Sequence, residues 1–190
     1  MQLIFATNNQ HKVDEIRISM PDLSVLTLKE AGINIDIPEP YNTLEENAAE
    51  KARTIYKITK TSCFSEDTGM EVYSLNNEPG VHSARYAGDE RSFQKNIEKV
   101  LNKLKHQKDR KAQFRAVLCL IIAGKEFYFE GICKGEITHE PKGDGGFGYD
   151  SIFVPEGYEK TFAEMLPQEK AGLSHRKKAI EKLVTFLNKY

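Results

Sequence analysis

The chain of 190 residues has few cysteines, no long apolar run and no excess of basic charge. Cys63, Cys119 and Cys133 are odd in number and form no CxxC pair, which argues against disulfides or a zinc site and favours buried thiols in a reducing cytoplasm. The longest apolar run, Val117 to Ala123, has the length of a strand, so no membrane-spanning helix is expected. The 27 basic and 28 acidic residues nearly cancel, which argues against a nucleic-acid-binding protein.

Length and hydrophobic content indicate one domain over 1–190 with two lobes. Strands and helices alternate early in the chain and a long hairpin follows, which predicts an α/β fold with a mixed sheet. The predicted strands are Leu3–Ala6, Leu23–Leu28, Ser62–Ser65 with a continuation over Met70–Tyr73, Gln113–Ala123 and Glu126–Thr138. The predicted helices begin near His11, after Thr43 in a capping box with Glu46, after Ser92 and after Ser174.

The segment from Gly143 to Asp150 carries four glycines in its first six positions, with Phe147 among them. Glycine lets the backbone approach a flat or anionic ligand closely and adopt dihedrals that other residues resist. The Phe147 ring offers a face on which a nucleotide base could stack. A hairpin turn with an aromatic plug would explain this loop alone, but it would not explain three further polar clusters.

The first of these clusters, Thr7-Asn8-Asn9-Gln10-His11-Lys12, lies where a strand turns into a helix. The first N–H groups of a helix lie at the positive end of its dipole, so this turn suits an anion. Lys12 fits a phosphate as a compact charge. A capped helix start with a surface lysine is an equally good interpretation, and the segment lacks the glycines of a Walker A loop.

The second cluster pairs two acids, Glu66 and Asp67, at the end of a predicted strand. Adjacent buried carboxylates are costly unless a cation or hydrogen-bond donors balance them. Because neighbouring strand residues point to opposite faces, one of the two, Asp67, is predicted to bind a metal and activate water. Glu39 is a candidate second ligand, although an exposed loop acid is the simpler interpretation. Such oxygen ligands favour Mg²⁺.

The third cluster, Lys170, Ser174, His175 and Arg176, lies near the predicted start of the last helix. Positive charge there opposes the helix dipole, so an anionic ligand or a carboxylate partner is needed to explain it. Arg85, which follows a turn at Pro79-Gly80, has the same two interpretations.

Together these residues resemble the inosine triphosphate pyrophosphatase family over nearly the whole chain. Six motifs carry the resemblance: Phe5–Asn9 with Lys12, Thr43–Lys51, Glu66–Gly69, Pro79-Gly80 with Ser83–Tyr86, Gly145–Asp150, and Ser174–Arg176. The resemblance implies an α/β fold with a long mixed central sheet, two lobes around a nucleotide cleft, and a homodimer. The implied hydrolase converts ITP, dITP or XTP into the monophosphate and pyrophosphate with Mg²⁺, or with Mn²⁺ in its place, and clears deaminated purines from the nucleotide pool.

The resemblance also implies roles for individual residues. Asp67 is the implied catalytic residue and shares the metal with Glu39. The implied substrate-binding residues are Thr7, Asn8, Asn9, Gln10, His11, Lys12, Lys51, Thr68, Phe147, Gly148, Tyr149, Asp150, Lys170, His175 and Arg176. Among them Thr7, Asn9, Lys12 and Lys51 would hold the triphosphate, Phe147 would stack on the base, and Lys170, His175 and Arg176 would read the purine edge. The chain departs from the family pattern at His11, at Glu66 and at Gly172-Leu173.

Two alternatives remain open on sequence grounds. A Maf-like pyrophosphatase that acts on other modified nucleotides shares the early anion site, but the glycine loop and Ser174-His175-Arg176 favour the inosine type. A non-catalytic nucleotide sensor would need no acid at position 67, where the chain has Asp67.

Overall fold

The computed structural model describes residues 2–190. Its strands are β1 (Gln2–Phe5), β2 (Ser24–Thr27), β3 (Cys63–Val72), β4 (Glu78–Gly80), β5 (Lys111–Ile122), β6 (Lys125–Ile137) and β7 (Phe153–Pro155). Its helices are α1 (Gln10–Ser19), α2 (Leu44–Thr59), α3 (Phe93–Lys103), α4 (Pro167–Leu173) and α5 (His175–Leu187). Within the described range, no helix is long and apolar enough to cross a membrane.

The strands form one mixed sheet in the order β2-β1-β3-β5-β6-β7, and β4 pairs with β3. Strand β1 runs parallel to β2 and β3, whereas β3 is antiparallel to β4 and β6 is antiparallel to β7. The predicted α/β fold with a mixed central sheet is therefore confirmed.

The described chain forms two compact units. The first unit contains residues 2–67, Ala116–Gly131 and His175–Tyr190, and the second contains Thr68–Arg115 and Ile132–Ser174. The single domain with two lobes over 1–190 stays a prediction, and Met1 lies outside the described residues.

In the first unit, neighbouring residues of β5 enter different apolar clusters. Leu118 packs in a cluster with Ile16 of α1 and Ile180 of α5, whereas Cys119 packs in a cluster with Ile55 of α2. Because successive strand residues point to opposite faces, helices cover both faces of this part of the sheet. This explains why the central strand is almost continuously apolar.

In the second unit, one apolar cluster holds α3 against the sheet. Val100 of α3 and Leu104, the residue that follows the helix, are fully buried in a cluster with Met70 of β3. The same cluster contains Phe114 and Phe153, whose ring centroids lie 4.7 Å apart with the planes at 66°. Such an edge-to-face pair is a favourable arrangement of two aromatic rings.

The structure confirms the predicted start of α2 and the predicted hairpin, whose turn at Ala123-Gly124 lies one residue earlier than the predicted strand ends place it. The Thr43 hydroxyl accepts a hydrogen bond from the backbone N–H of Glu46 at 3.2 Å and begins α2, which ends where Lys60 adopts a φ of 55°. Between β5 and β6, Ala123 and Gly124 have φ values of 49° and 76°. Positive φ at both central positions is the requirement of a tight two-residue hairpin turn.

Two predicted boundaries were wrong. Strand β3 continues without a break from Cys63 to Val72, so Glu66 and Asp67 lie inside the strand and not at its end. Nearby cations compensate these acids, and this allows a polar sequence to remain in a buried strand. Lys170 does not lie at the start of the last helix, because Pro167 begins a separate helix, α4. Proline suits the first helical position, since its missing N–H has no partner there anyway.

The cysteines are buried thiols, as predicted. Cys63, Cys119 and Cys133 are all buried and form no disulfide. Burial raises the pKa of the Cys63 and Cys119 thiols to about 12. Thiols with such high pKa values are protonated at neutral pH and chemically inert.

Candidate active site

Glu66 and Asp67 are adjacent in β3, and different cations meet each of them. The Glu66 carboxylate accepts hydrogen bonds from Nε and Nη2 of Arg176 at 2.7 and 2.8 Å. Lys12 Nζ lies 3.5 Å from Glu66 Oε1, and Lys51 Nζ lies 3.5 Å from Asp67 Oδ1. The predicted need for a cation beside two buried acids is confirmed.

Lys51 connects the two predicted metal ligands. Its ammonium forms an ion pair with Glu39 as well as with Asp67. Asn47, one helical turn earlier in α2, accepts a hydrogen bond from the backbone N–H of Tyr41 at 2.9 Å and donates one to the Tyr41 carbonyl at 3.1 Å. These two bonds hold the segment that carries Glu39 against α2.

Burial and charge together set the ionisation of this group. Burial lowers the pKa of Lys51, but Asp67 and Glu39 raise it by more, so the pKa lies above its ordinary value and the side chain is charged at neutral pH. Burial raises the pKa of Asp67, and the positive charges of Lys51 and Lys12 oppose this shift. A carboxylate with a raised pKa accepts a proton more readily, which suits a general base.

The predicted turn between β1 and α1 is built around Asn9. Asn9 is the N-cap of α1, and its side chain accepts a hydrogen bond from the backbone N–H of Lys12 at 3.4 Å. Thr7 Oγ1 in turn accepts a hydrogen bond from the backbone N–H of Asn9 at 3.1 Å. The turn therefore positions Lys12 beside Glu66.

The remaining turn residues have other contacts. Asn8 donates a hydrogen bond to the Ile35 carbonyl at 2.9 Å, and Gln10 donates one to Asp14 at 2.7 Å. His11 is exposed. Direct phosphate contacts of the residues from Thr7 to His11 stay predictions.

The Lys12 ammonium is held in a mostly buried position. Its Nζ lies 3.5 Å from the Glu66 backbone carbonyl as well as from the Glu66 carboxylate. Burial lowers the pKa of Lys12, Glu66 opposes this shift, and the nearby charges of Lys51 and Arg176 lower the pKa further. A phosphate at this point would gain a cation that is already partly desolvated.

Arg176, in the first turn of α5, is 1% exposed and faces two acids. Nε and Nη2 bond to Glu66, and Nη1 bonds to Glu15. Burial lowers the pKa of Arg176, but Glu66 and Glu15 raise it above its ordinary value. Of the two interpretations that the sequence left open, the structure shows the carboxylate partner. A contact of Arg176 or of the buried His175 with the purine edge stays a prediction.

Sequence reasoning missed Glu15. Its side chain joins the buried ion-pair network through Arg176. The available signal was its place in α1, three residues after Lys12 and between the buried residues Val13 and Ile16. An acid beside the apolar stripe of a helix needs a partner.

The donor set fits Mg²⁺. Glu39 and Asp67 both direct a carboxylate oxygen toward the Lys51 ammonium. Among residues 2–190, no group of three or more His, Cys, Asp and Glu side chains is arranged to hold a metal ion. Mg²⁺ in phosphate-transfer sites is held by one or two carboxylates together with waters and substrate phosphates, so two ligands suffice. These donors are carboxylates and not thiolates, so they favour Mg²⁺ over zinc.

In the second unit, Asp150 organises the glycine loop. Its Oδ2 accepts hydrogen bonds from the backbone N–H of Phe147 at 2.8 Å and from Lys170 Nζ at 2.7 Å. Gly146 has a φ of 71°, and a Cβ at this position would lie 2.1 Å from Asp150 Oδ2. The Lys170 ammonium lies 4.6 Å from the centroid of the Phe147 ring, within cation–π distance. The loop therefore holds the Phe147 ring on a fixed frame.

Other predicted residues of this unit have mainly structural contacts. Tyr149 is buried in the apolar cluster, and its hydroxyl donates a hydrogen bond to the Ser83 carbonyl at 2.7 Å. Gly148 has a φ of 63° and continues the turn, and Thr68 lies partly buried in β3. Their contacts with a substrate stay predictions.

Comparison with known proteins identifies close relatives. A family model described as the Ham1 family matches residues 3–186. The chain is 47% identical over 187 residues to the dITP/XTP pyrophosphatase of Flavobacterium psychrophilum, with 98% of each chain covered. It is 46% identical over 190 residues to the protein of the same name from Christiangramia forsetii, with both chains fully covered. The solved HAM1 protein of Coxiella burnetii is 36% identical and superimposes with a TM-score of 0.90 over the whole of both chains.

Proposed function

The chain belongs to the Ham1 family, and we propose that it is a nucleoside triphosphate pyrophosphatase that acts on the deaminated purine nucleotides ITP, dITP and XTP. The observation that carries the proposal is the pairing of Asp67 and Glu39 with Lys51 in a chain that is 47% identical to a dITP/XTP pyrophosphatase. In the reaction, a water oxygen bonds to the α-phosphorus and pyrophosphate leaves. The products are the monophosphate and pyrophosphate.

Two lysines supply the charge that such a substrate requires. A magnesium triphosphate still carries net negative charge, and phosphoryl-type displacement depends mainly on positioning and charge stabilisation. Lys12 and Lys51 are held by acids rather than by solvent, so their ammonium groups are already in place when the substrate binds. A preorganised cation needs little rearrangement during the reaction.

Asp67 is the proposed general base. It takes a proton from the attacking water, and its raised pKa suits that role. Glu39 and Asp67 would hold Mg²⁺, or Mn²⁺ in its place. Bound there, the ion would polarise the α-phosphate. Lys51 forms ion pairs with both acids and would also contact the phosphate oxygens of a bound substrate.

The second unit supplies the proposed base-binding residues. The Phe147 ring stacks on the purine, and Lys170 provides hydrogen-bond donors. The six-keto oxygen of hypoxanthine or xanthine accepts hydrogen bonds, whereas the six-amino group of adenine donates them. A site made of donors therefore leaves a buried mismatch with ATP, and such a mismatch rejects a substrate strongly.

The decisive experiment is a steady-state panel that measures pyrophosphate release with Mg²⁺. We expect the highest kcat/KM values for ITP, dITP and XTP, and low values for ATP and for modified UTP. A preference for modified pyrimidine triphosphates would support the Maf-like alternative, and tight ITP binding without pyrophosphate release would support the sensor. Full activity after chelation, without restored divalent ions, would contradict the metal proposal.

We also propose that the protein acts as a homodimer in the cytoplasm, as the resemblance implies. Sedimentation equilibrium tests the first part, because a single species of about the 21.6 kDa chain mass would contradict a dimer.

A further inference from the structure

Phe93, the first residue of α3, has an aromatic side chain at the protein surface. Although Phe93 is a large hydrophobic residue, 46% of its surface is exposed. Its ring centroid lies 6.4 Å from that of Phe147, and the two planes are inclined by 48°. Both residues belong to the second unit. An exposed aromatic ring therefore lies beside the ring that is proposed to stack on the base.

The helix pattern explains why Phe93 points toward this ring. The apolar stripe of α3 contains Ile97 and Val100 and continues to Leu104 at the helix end, and Phe93 lies four residues before Ile97 on the same stripe. Val100 and Leu104 are fully buried in the core of the unit. Phe93 extends the stripe by one turn to a half-exposed position, where it meets the ring of Phe147.

The first turn of α3 is firmly anchored. The Ser92 side chain accepts a hydrogen bond from the backbone N–H of Lys95 at 3.4 Å and caps the helix. The Asn96 amide donates hydrogen bonds to the carbonyls of Ser83 and Ala84 at 3.3 and 3.1 Å, and Asn96 Oδ1 accepts one from the Ala87 N–H at 2.7 Å. A side chain on an anchored turn can hold a fixed position toward a ligand.

We propose that Phe93 is a further base-binding residue, whose ring forms a side wall next to the Phe147 stacking surface and contacts the edge of the purine. The inference rests on the proposed function. The Lys170 ammonium lies 4.6 Å from the centroid of the Phe147 ring and the Phe93 ring centroid lies 6.4 Å from it, so both side chains border the ring on which the base stacks. The 48° inclination makes Phe93 a flank to a stacked base and not a second parallel layer.

This geometry predicts an effect on binding and not on the chemical step, because Phe93 contacts the base and no reacting atom. We expect Phe93→Ala to raise the KM for ITP about 3- to 10-fold, as estimated from the strength of aromatic contacts, and to leave kcat nearly unchanged. Phe93→Tyr should keep the KM, and Phe93→Leu should be intermediate. Tyr158→Ala, which removes another exposed aromatic side chain of the second unit, is the control and should leave the KM unchanged.

A second measurement does not depend on turnover. The sequence has no tryptophan, so Phe93→Trp introduces a single tryptophan, whose emission can be excited apart from that of the tyrosines. Stacking or edge contact with the base should quench it when IMP is titrated, and inorganic triphosphate, which has no base, should leave the emission unchanged. A thermal unfolding curve of each variant shows that it is folded.

The outcomes separate this inference from the proposed function. An unchanged KM in Phe93→Ala, an equal effect of Tyr158→Ala, or equal quenching by inorganic triphosphate would each overturn the role of Phe93. If the unmodified protein releases no pyrophosphate from ITP, the proposed function fails, while the IMP titration of Phe93→Trp still tests whether this ring meets a base.

Discussion

Replacing Arg176 by alanine should destabilise the fold strongly. The Arg176 guanidinium lies between Glu66, whose side chain has no exposed surface, and Glu15, whose side chain is 12% exposed. Removing one member of a buried ion pair leaves an uncompensated charge, at a cost of about 3–5 kcal/mol. For a protein of this size each kcal/mol lowers Tm by about 2–4 °C, so Tm should fall by about 6–20 °C.

A surface ion pair gives the matched control. Arg17 Nη2 lies 2.8 Å from Glu30, but the two side chains are 42% and 43% exposed. Exposed pairs contribute about 0–1 kcal/mol, so Arg17→Ala should lower Tm by only a few degrees. One positive charge is removed in each variant, so the difference in Tm reports the burial of Arg176 and its pairing with two acids.

A double-mutant cycle tests whether the cost arises from the pair itself. We expect Arg176→Met and Glu66→Gln to be each destabilising and the double variant to lose clearly less than their sum, with a coupling of about 1 kcal/mol or more. Urea unfolding followed by circular dichroism measures all variants. If Arg176→Ala is no more destabilising than Arg17→Ala, the buried network is not what stabilises this region and the reasoning fails.

Four further predictions concern activity. Asp67→Asn should lower kcat by about 100-fold or more, through loss of a general base and metal ligand, and near-native turnover would contradict its assignment. Because burial lowers the pKa of Lys12 below 10.5, its charge is lost as the pH rises toward that value, and the KM for ITP should increase there. In Lys12→Arg this increase should disappear, since arginine stays charged, and a flat KM in the unmodified enzyme would refute the role of the charge. Gly146→Ala should weaken ITP binding and lower stability far more than Gly148→Ala. Both glycines have positive φ, but only a Cβ at position 146 would lie 2.1 Å from a carboxylate oxygen. Equal effects on thermal unfolding and on KM would show that φ strain alone matters. If Arg176 donates hydrogen bonds to the base, Arg176→Lys should lower the ratio of kcat/KM for ITP to kcat/KM for ATP. An equal fall of both kcat/KM values would indicate that Arg176 only positions Glu66.

Features with short-range causes could be predicted from the sequence. The Thr43 cap of α2 and the Ser92 cap of α3 each depend on a residue three positions away. The hairpin turn at Gly124 depends on the dihedrals of two adjacent residues. In such cases the interacting groups are neighbours in the chain, so local pattern and propensity are enough.

The continuation of β3 through Glu66 and Asp67 could not be predicted in the same way. A polar segment after an apolar run usually marks the end of a strand, and local propensity gives no reason to expect otherwise. The strand continues because Arg176 and Lys51 compensate the two acids from distant parts of the chain. Tertiary contacts here override the local signal.

The same limit applies to the choice of partners in the site. The cost of burying two adjacent carboxylates and of placing cations at the start of a helix predicts that each group needs an opposite charge. This cost does not identify the partner of each group, because Arg176 is 110 residues from Glu66 and 161 from Glu15 along the chain. The pairing follows from where α5, β3 and α1 pack, since all three contribute to the same unit. Glu66 therefore pairs with the buried Arg176. Asp67 has a raised pKa and contacts Lys51, so of the two acids it is the one suited to bind water and a metal.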